Sequence, residues 1–103
     1  MPFKLKSVEK STRKFKKWMA TFEDKDTGKT KTTHFGDNRY DDFTLMSAMK
    51  DPDAKERRRL YRIRHEKDLG ADPTTPGVLS YALLWNKPTL AASITSYKKL
   101  FGM

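Results

Sequence analysis

The strongest constraint on the fold is a pair of β-patterned segments set around one tight turn. From Phe15 to Phe22 the residues alternate, with Trp18, Ala20 and Phe22 directed one way and Lys17 and Thr21 the other. The cluster Glu23-Asp24-Lys25-Asp26-Thr27-Gly28 reads as a turn, with Gly28 available for a positive φ. Lys29 to Phe35 then resumes with Thr30, Thr32, Thr33 and Phe35, residues suited to a pleated strand, until Gly36-Asp37-Asn38 ends it. Two strands alone are marginal in water, so the hairpin requires a helix or a third strand over its apolar face.

What can cover it is limited by size. A chain of 103 residues is one domain. Only 36% of it is hydrophobic, so the core is modest, although twelve aromatic residues each bury a large area. The net charge of +9 opposes compaction and favours polyanionic partners, whether nucleic acid, acidic lipid surfaces or acidic proteins. With no cysteine, disulfides and thiolate metal sites are excluded. Neither a signal-peptide run at the amino end nor a stretch of ~20 apolar residues occurs, so a soluble protein without a membrane span is expected.

The charge is uneven. Within residues 1–17, Lys4, Lys6, Lys10, Arg13, Lys14, Lys16 and Lys17 face Glu9 alone. Residues 1–14 read either as a basic arm that orders on a partner or as an edge strand anchored by Phe3, Leu5 and Val8; residues 15–103 form the domain. Residues 37–51 read as a connection holding an Asp41-Asp42-Phe43-Thr44 step and an apolar group of Leu45, Met46 and Met49.

A helix is expected next, with Asp51 as N-cap, Pro52 in its first turn, an end near Asp68 and a stop at Gly70. Leu60 and Ile63 give it a narrow apolar edge with Tyr61 opposite, while Arg58, Arg62 and His65 line one side and Arg57, Tyr61 and Arg64 the adjacent stripe. Beyond Thr75-Pro76, the residues Val78, Leu79, Ala82, Leu83 and Trp85 follow at helical spacing. Asn86-Lys87-Pro88 breaks this helix, and Leu90, Ile94, Tyr97 and Phe101 mark a second amphipathic one. The expected fold is α+β: a small β-hairpin, or a three-stranded sheet if the amino end joins, packed against a basic helix and a carboxyl-terminal helical pair.

Catalytic chemistry finds no foothold. His34 and His65 are the only imidazoles, and neither has a second ligand at metal spacing. Gly28-Lys29-Thr30 resembles the end of a phosphate loop but lacks the upstream glycine and the following helix. The pairs Asp24/Asp26 and Asp41/Asp42 are explained by turn and capping roles more simply than by a cation. No catalytic residue, metal, cofactor or small-molecule substrate is expected.

Binding is better served. The candidate residues for a polyanion or protein partner are Lys4, Lys6, Lys10, Arg13, Lys14, Lys16 and Lys17, with Arg57, Arg58, Tyr61, Arg62 and Arg64 on the helix. Arginine forks bind phosphate or carboxylate bidentately, and Tyr61 offers a ring to stack. The competing reading of the helix is a solvated face with internal pairs such as Arg62–Glu66. Trp18 and Trp85 lie on apolar faces and read as core.

A resemblance rests on several runs taken in order: Thr33-His34-Phe35-Gly36, Asp42-Phe43-Thr44, Arg59 to Lys67, Thr74 to Ser80, Leu84-Trp85-Asn86-Lys87-Pro88-Thr89-Leu90 and Ser93 to Phe101. Over roughly residues 16–101 the chain resembles the small basic proteins encoded in many copies by large icosahedral DNA viruses of algae and amoebae. Two departures are Pro76, where that family more often has Ala, and the lack of a His near Leu45-Met46. The resemblance implies no enzymatic activity and a viral setting, the virion, with host cytoplasm as the place of assembly.

The function expected on these grounds is a minor capsid or cement protein bridging larger capsid proteins, with Trp85, Tyr97 and Phe101 as partly exposed interface anchors. The alternative is a nucleic-acid-binding protein that condenses or packages the genome through phosphates, without sequence specificity.

Overall fold

A computed structural model describes residues 3–103 of the chain. Three antiparallel strands, β1 (Phe3–Lys10), β2 (Lys16–Asp24) and β3 (Thr30–Asp37), form a sheet in sequence order. In β2 and β3 the alternation sets the register: Trp18 faces Phe35, Ala20 faces Thr33 and Phe22 faces Lys31. Ala20, Phe22 and Phe35 are fully buried, while on the opposite face the Thr21 and Thr32 hydroxyls lie 3.4 Å apart. The turn is built by Asp24, whose Oδ1 accepts the Asp26 and Thr27 amides, and by Gly28 at φ +74.

The amino end is the third strand, not an arm, although its first two residues lie outside the described ones. Leu5 opposite Phe22 and Val8 opposite Ala20 both contribute to the core, which a strict period of two forbids for residues three apart. A β-bulge at Lys6, between Leu5 and Ser7, inserts the extra residue and restores both side chains to the helical side. The bulge and the lysines also blunt this edge against pairing with other chains.

The connection after β3 holds an unexpected short helix, α1 (Phe43–Ala48). Asp42 caps it by accepting the Leu45 amide at 2.9 Å, and Phe43 and Met46, three apart, are buried beneath it. The basic helix, α2 (Ala54–His65), starts later than expected. Asp51 is spent one turn earlier, its Oδ1 accepting the Asp53 amide and its carbonyl the Ala54 amide, so residues 51–53 form a turn. A 3-10 segment, Glu66–Gly70, then carries the chain to the expected stop.

Helix α3 (Pro76–Leu79) opens with its proline in the first turn and widens into a π-helical stretch, Ser80–Leu84. Val78 and Leu79 and then Tyr81 to Trp85 are buried without interruption, so this segment is the central column of the core. It lies on β3, with α4 (Leu90–Phe101) alongside. The closest approach is at Gly36, which sits at φ +76 where a Cβ would stand 2.7 Å from Leu84 Cδ1; only glycine meets both conditions. Thr89 caps α4, and its stripe of Leu90, Ile94, Tyr97 and Phe101 faces inward as spaced. The fold is thus α+β as expected, with the basic helix packed on α1 and, through Tyr61, on Tyr81 and Trp85.

A candidate binding surface at the basic tip of the sheet

The arginine helix is turned the other way from its aliphatic edge. Leu60 and Ile63 are 44% and 60% exposed, whereas Tyr61 faces the body. Its ring stacks on Trp85 at 4.4 Å with 7° between planes and on His65 at 4.2 Å, forming a three-ring column. On either side an arginine reaches past it. Arg58 Nε donates to the Asn86 carbonyl at 2.7 Å, and Arg62 Nη1 donates to the Trp85 carbonyl at 2.9 Å.

The reason lies in the next segment. Helical pairing ends at Asn86-Lys87-Pro88, leaving terminal carbonyls without amide partners, and the two guanidiniums take their place. The Arg62 guanidinium also lies 4.4 Å over the Tyr81 ring and that of Arg58 5.5 Å over Phe43. Burial, then the neighbouring Arg62, lowers the Arg58 pKa from its ordinary value. Arg58, Tyr61 and Arg62 therefore brace the fold, and in place of the Arg62–Glu66 pair of the competing solvated-face reading Arg62 binds the Trp85 carbonyl. Arg57 and Arg64 remain exposed, while Arg59 is held by Glu56.

Burial also sets an alkaline limit. It pushes the Tyr61 phenol up to about 12, with Asp68 adding to the shift, and raises Tyr97, which donates to the Pro73 carbonyl at 2.7 Å. Both groups ionise more readily in the unfolded chain, near their ordinary value of 10.0. The unfolded state therefore holds fewer protons above that pH, and stability falls as pH rises. We expect the denaturant midpoint to hold between neutrality and pH ~9.5 and to drop steadily above ~10. Urea titrations across that range check this.

Four of the outward cations lie together at one end of the sheet. The β1–β2 turn and the strand ends that flank it carry Lys10, Arg13, Lys14 and Lys16, all exposed, with Phe15 in the turn between them. The turn is pinned by the Ser11 amide on the Lys17 carbonyl at 3.0 Å, and by the Arg13 amide on Ser11 Oγ at 3.0 Å. Across from it, the Asn38 amide donates to the Phe15 carbonyl at 3.0 Å, bringing the segment after β3 alongside. Phe15 has φ +67 and is 44% exposed, with Lys14 Nζ 5.1 Å and Arg39 Cζ 4.6 Å from its ring centre.

Arg39 is fixed by a two-pronged bond to Asp37, whose carboxyl is held down to about 2 by that side chain and by the Arg39 amide. Tyr40, 68% exposed, stands next to it. Among the described residues, Lys10, Arg13 and Lys14 form no salt bridge, and Lys16, opposite Asp37 across the β2–β3 pair, adds to the field that holds that carboxyl down.

Other candidates fall elsewhere. Lys17 is drawn inward to Asp42 at 2.5 Å, with side chains only 10% and 3% exposed. Lys4 and Lys6 lie toward the opposite end of β1, and Lys6 pairs with Glu23 at 3.4 Å. Trp85 and Tyr97 are buried, so neither is a partly exposed interface anchor, while Phe101 is partly buried against the core and keeps part of its surface outward. Asp24 and Asp42 perform turn and capping work, and no group of metal-ligating side chains occurs among the described residues. No helix among them is long and apolar enough to cross a membrane.

Two arrangements could not be read from spacing. One is Ser11 Oγ, 2.7 Å from His34 Nδ1. With the same oxygen accepting the Arg13 amide, and no carboxylate bonded to His34 among the described residues, this is a tie between turn and strand. The other is an open cleft of about 370 Å³ between the tip and α1, floored by Trp18, Leu45 and Leu84 and edged by Lys10 and Lys16. Such a surface can hold anions by charge and apolar groups by burial.

No curated protein and no solved structure matches the chain. Residues 6–65 do match a family of unknown function, DUF5754. That stretch runs from within β1 to the last residue of α2, taking in the tip, the cleft-forming helix and the arginines that brace the core; with more than half its length matched, the chain belongs to the DUF5754 family.

Proposed function

We propose that the protein is a non-enzymatic structural component of a virus particle, a minor capsid or cement protein that fastens to acidic faces of larger capsid proteins through its basic tip. The observation that carries the reading is the tip itself: four outward cations, three of them without a salt-bridge partner among the described residues, gathered on a pinned turn that also exposes Phe15. A non-glycine residue in the left-handed region costs roughly 1–2 kcal/mol. Phe15 and Lys50 both adopt it, and at Phe15 the strained position carries an exposed aromatic ring, which supports a contact outside the domain. The viral setting comes from the sequence resemblance.

The apolar surroundings favour a protein partner. Leu45 on α1 is exposed in the same cleft as Lys10 and Lys16, and Met49, at the C-cap of α1, is 60% exposed. A phosphate backbone gives such side chains nothing to bury against, whereas an interface does. Genome binding is the second reading, favoured by Phe15 between Lys14 and Arg39, a ring on which a base can stack.

The test reverses the tip, changing Lys10, Arg13, Lys14 and Lys16 to Glu in the full chain. Because these side chains are exposed, the thermal midpoint should move by only a few degrees. Rebinding to capsid shells stripped of the protein should fall on the order of 100-fold. Unchanged rebinding to shells would overturn the reading. Loss of duplex DNA binding instead, with a log–log salt slope of about −3 to −4, would establish the second.

A further inference from the structure

We infer that the cleft between the tip and α1 is a peptide-docking site that takes an apolar side chain flanked by carboxylates, on an acidic segment of the protein partner. The inference rests on the reading of the tip as a partner-binding surface and adds the chemistry of what is bound. Its floor is apolar, with Trp18 half-buried, Leu84 buried and Leu45 43% exposed. At about 370 Å³ the cleft falls within the ~300–1,000 Å³ of ordinary binding clefts. On the wall formed by α1, Met49 at the C-cap follows Leu45 by four residues and is 60% exposed just outside the cleft lining, so an extended chain running past Leu45 finds a second apolar contact.

Charge selects the occupant. The one carboxylate in the cleft, that of Asp42, is occupied by Lys17 and by the Leu45 amide. It leaves the site without a free negative group. Lys10 and Lys16 stand at the edge, and Arg13 and Lys14 continue the positive field along the turn. An aliphatic or aromatic anchor would bury on Trp18 and Leu45 while acidic neighbours meet the lysines. A bare polyanion would satisfy the lysines and leave the floor empty.

The test titrates the full-length, isotope-labelled protein with three probes and follows its nuclear magnetic resonance spectrum. The first probe is an acetylated peptide with two acidic residues on each side of a Leu-Phe pair. The second has Ser-Gly in place of that pair at equal charge, and the third is a short oligothymidylate. We expect the first peptide to shift the Trp18 indole and the Leu45 and Met49 amides, and to bind at least about tenfold more tightly than the second.

Leu45→Lys, at an exposed position, should remove that tenfold preference without changing the fold. The pair Lys10→Glu and Lys16→Glu should weaken both peptides, and Leu100→Lys on α4 should weaken neither. Equal binding of the two peptides, with shifts confined to the tip, would overturn the cleft assignment and leave the tip reading standing. Shifts produced by oligothymidylate alone would overturn both.

Discussion

Asp42→Ala should lower the unfolding free energy by about 3–5 kcal/mol, the largest loss expected from any single polar substitution in the molecule. Two contributions add. The carboxylate caps α1 through the Leu45 amide, and loss of a cap costs about 1 kcal/mol. It also neutralises Lys17, whose side chain is 10% exposed and would be left with its charge unpaired. The ion pair joins residues 25 apart and ties β2 to the cap of α1, so its loss loosens the sheet from the helix that walls the cleft.

Urea unfolding of the single variant measures the loss. The double change Lys17→Met with Asp42→Asn tests its origin, since Asn still caps the helix and Met fills the space of the lysine stem. Most of the stability should return in the double variant. If the single variant falls within about 1 kcal/mol of the parent, the Lys17–Asp42 pair does not hold α1 to the sheet.

The second large effect separates the arginine helix from the binding surface. Replacing Arg58 and Arg62 together by Ala strands the carbonyls of Asn86 and Trp85, each worth roughly 1–3 kcal/mol when left without a donor. It also strips the cations from the Phe43 and Tyr81 rings. We expect a combined loss of about 2–5 kcal/mol in urea unfolding. Binding to capsid shells, measured cold where the variant stays folded, should be unchanged within twofold. An unaltered urea midpoint with binding abolished would return these two arginines to the interface.

These two arginines also show where sequence reading stops. The β2–β3 hairpin was legible because Trp18, Ala20, Phe22 and Phe35 keep a strict period of two on either side of an Asp-rich, Gly-ended turn. The α4 stripe was legible for the same reason at helical period. In α2 the periodicity points to Leu60 and Ile63, yet those face solvent. What turns the helix over is a set of non-local partners: two terminal carbonyls and the Trp85 ring, none visible in the spacing of α2 itself.

At the amino end, the bulge at Lys6 breaks the alternation that would have identified β1. Helix α1 has only six residues, too short for its period to stand out, although Asp42 three before Leu45 was a readable cap. The charges of the tip were countable from the outset. Their convergence was not, because Arg39 reaches Phe15 only once three strands are paired, and Lys17 leaves the set only once Asp42 is brought beside it.

The most direct measurement on the proposed function is lysine crosslinking of intact purified particles, read by mass spectrometry. The account predicts links from Lys10, Lys14 and Lys16 to capsid proteins, with few from Lys17, which is buried against Asp42, or from Lys25 in the opposite turn. Absence of the chain from the particle, or its release by nuclease together with the genome, would contradict it.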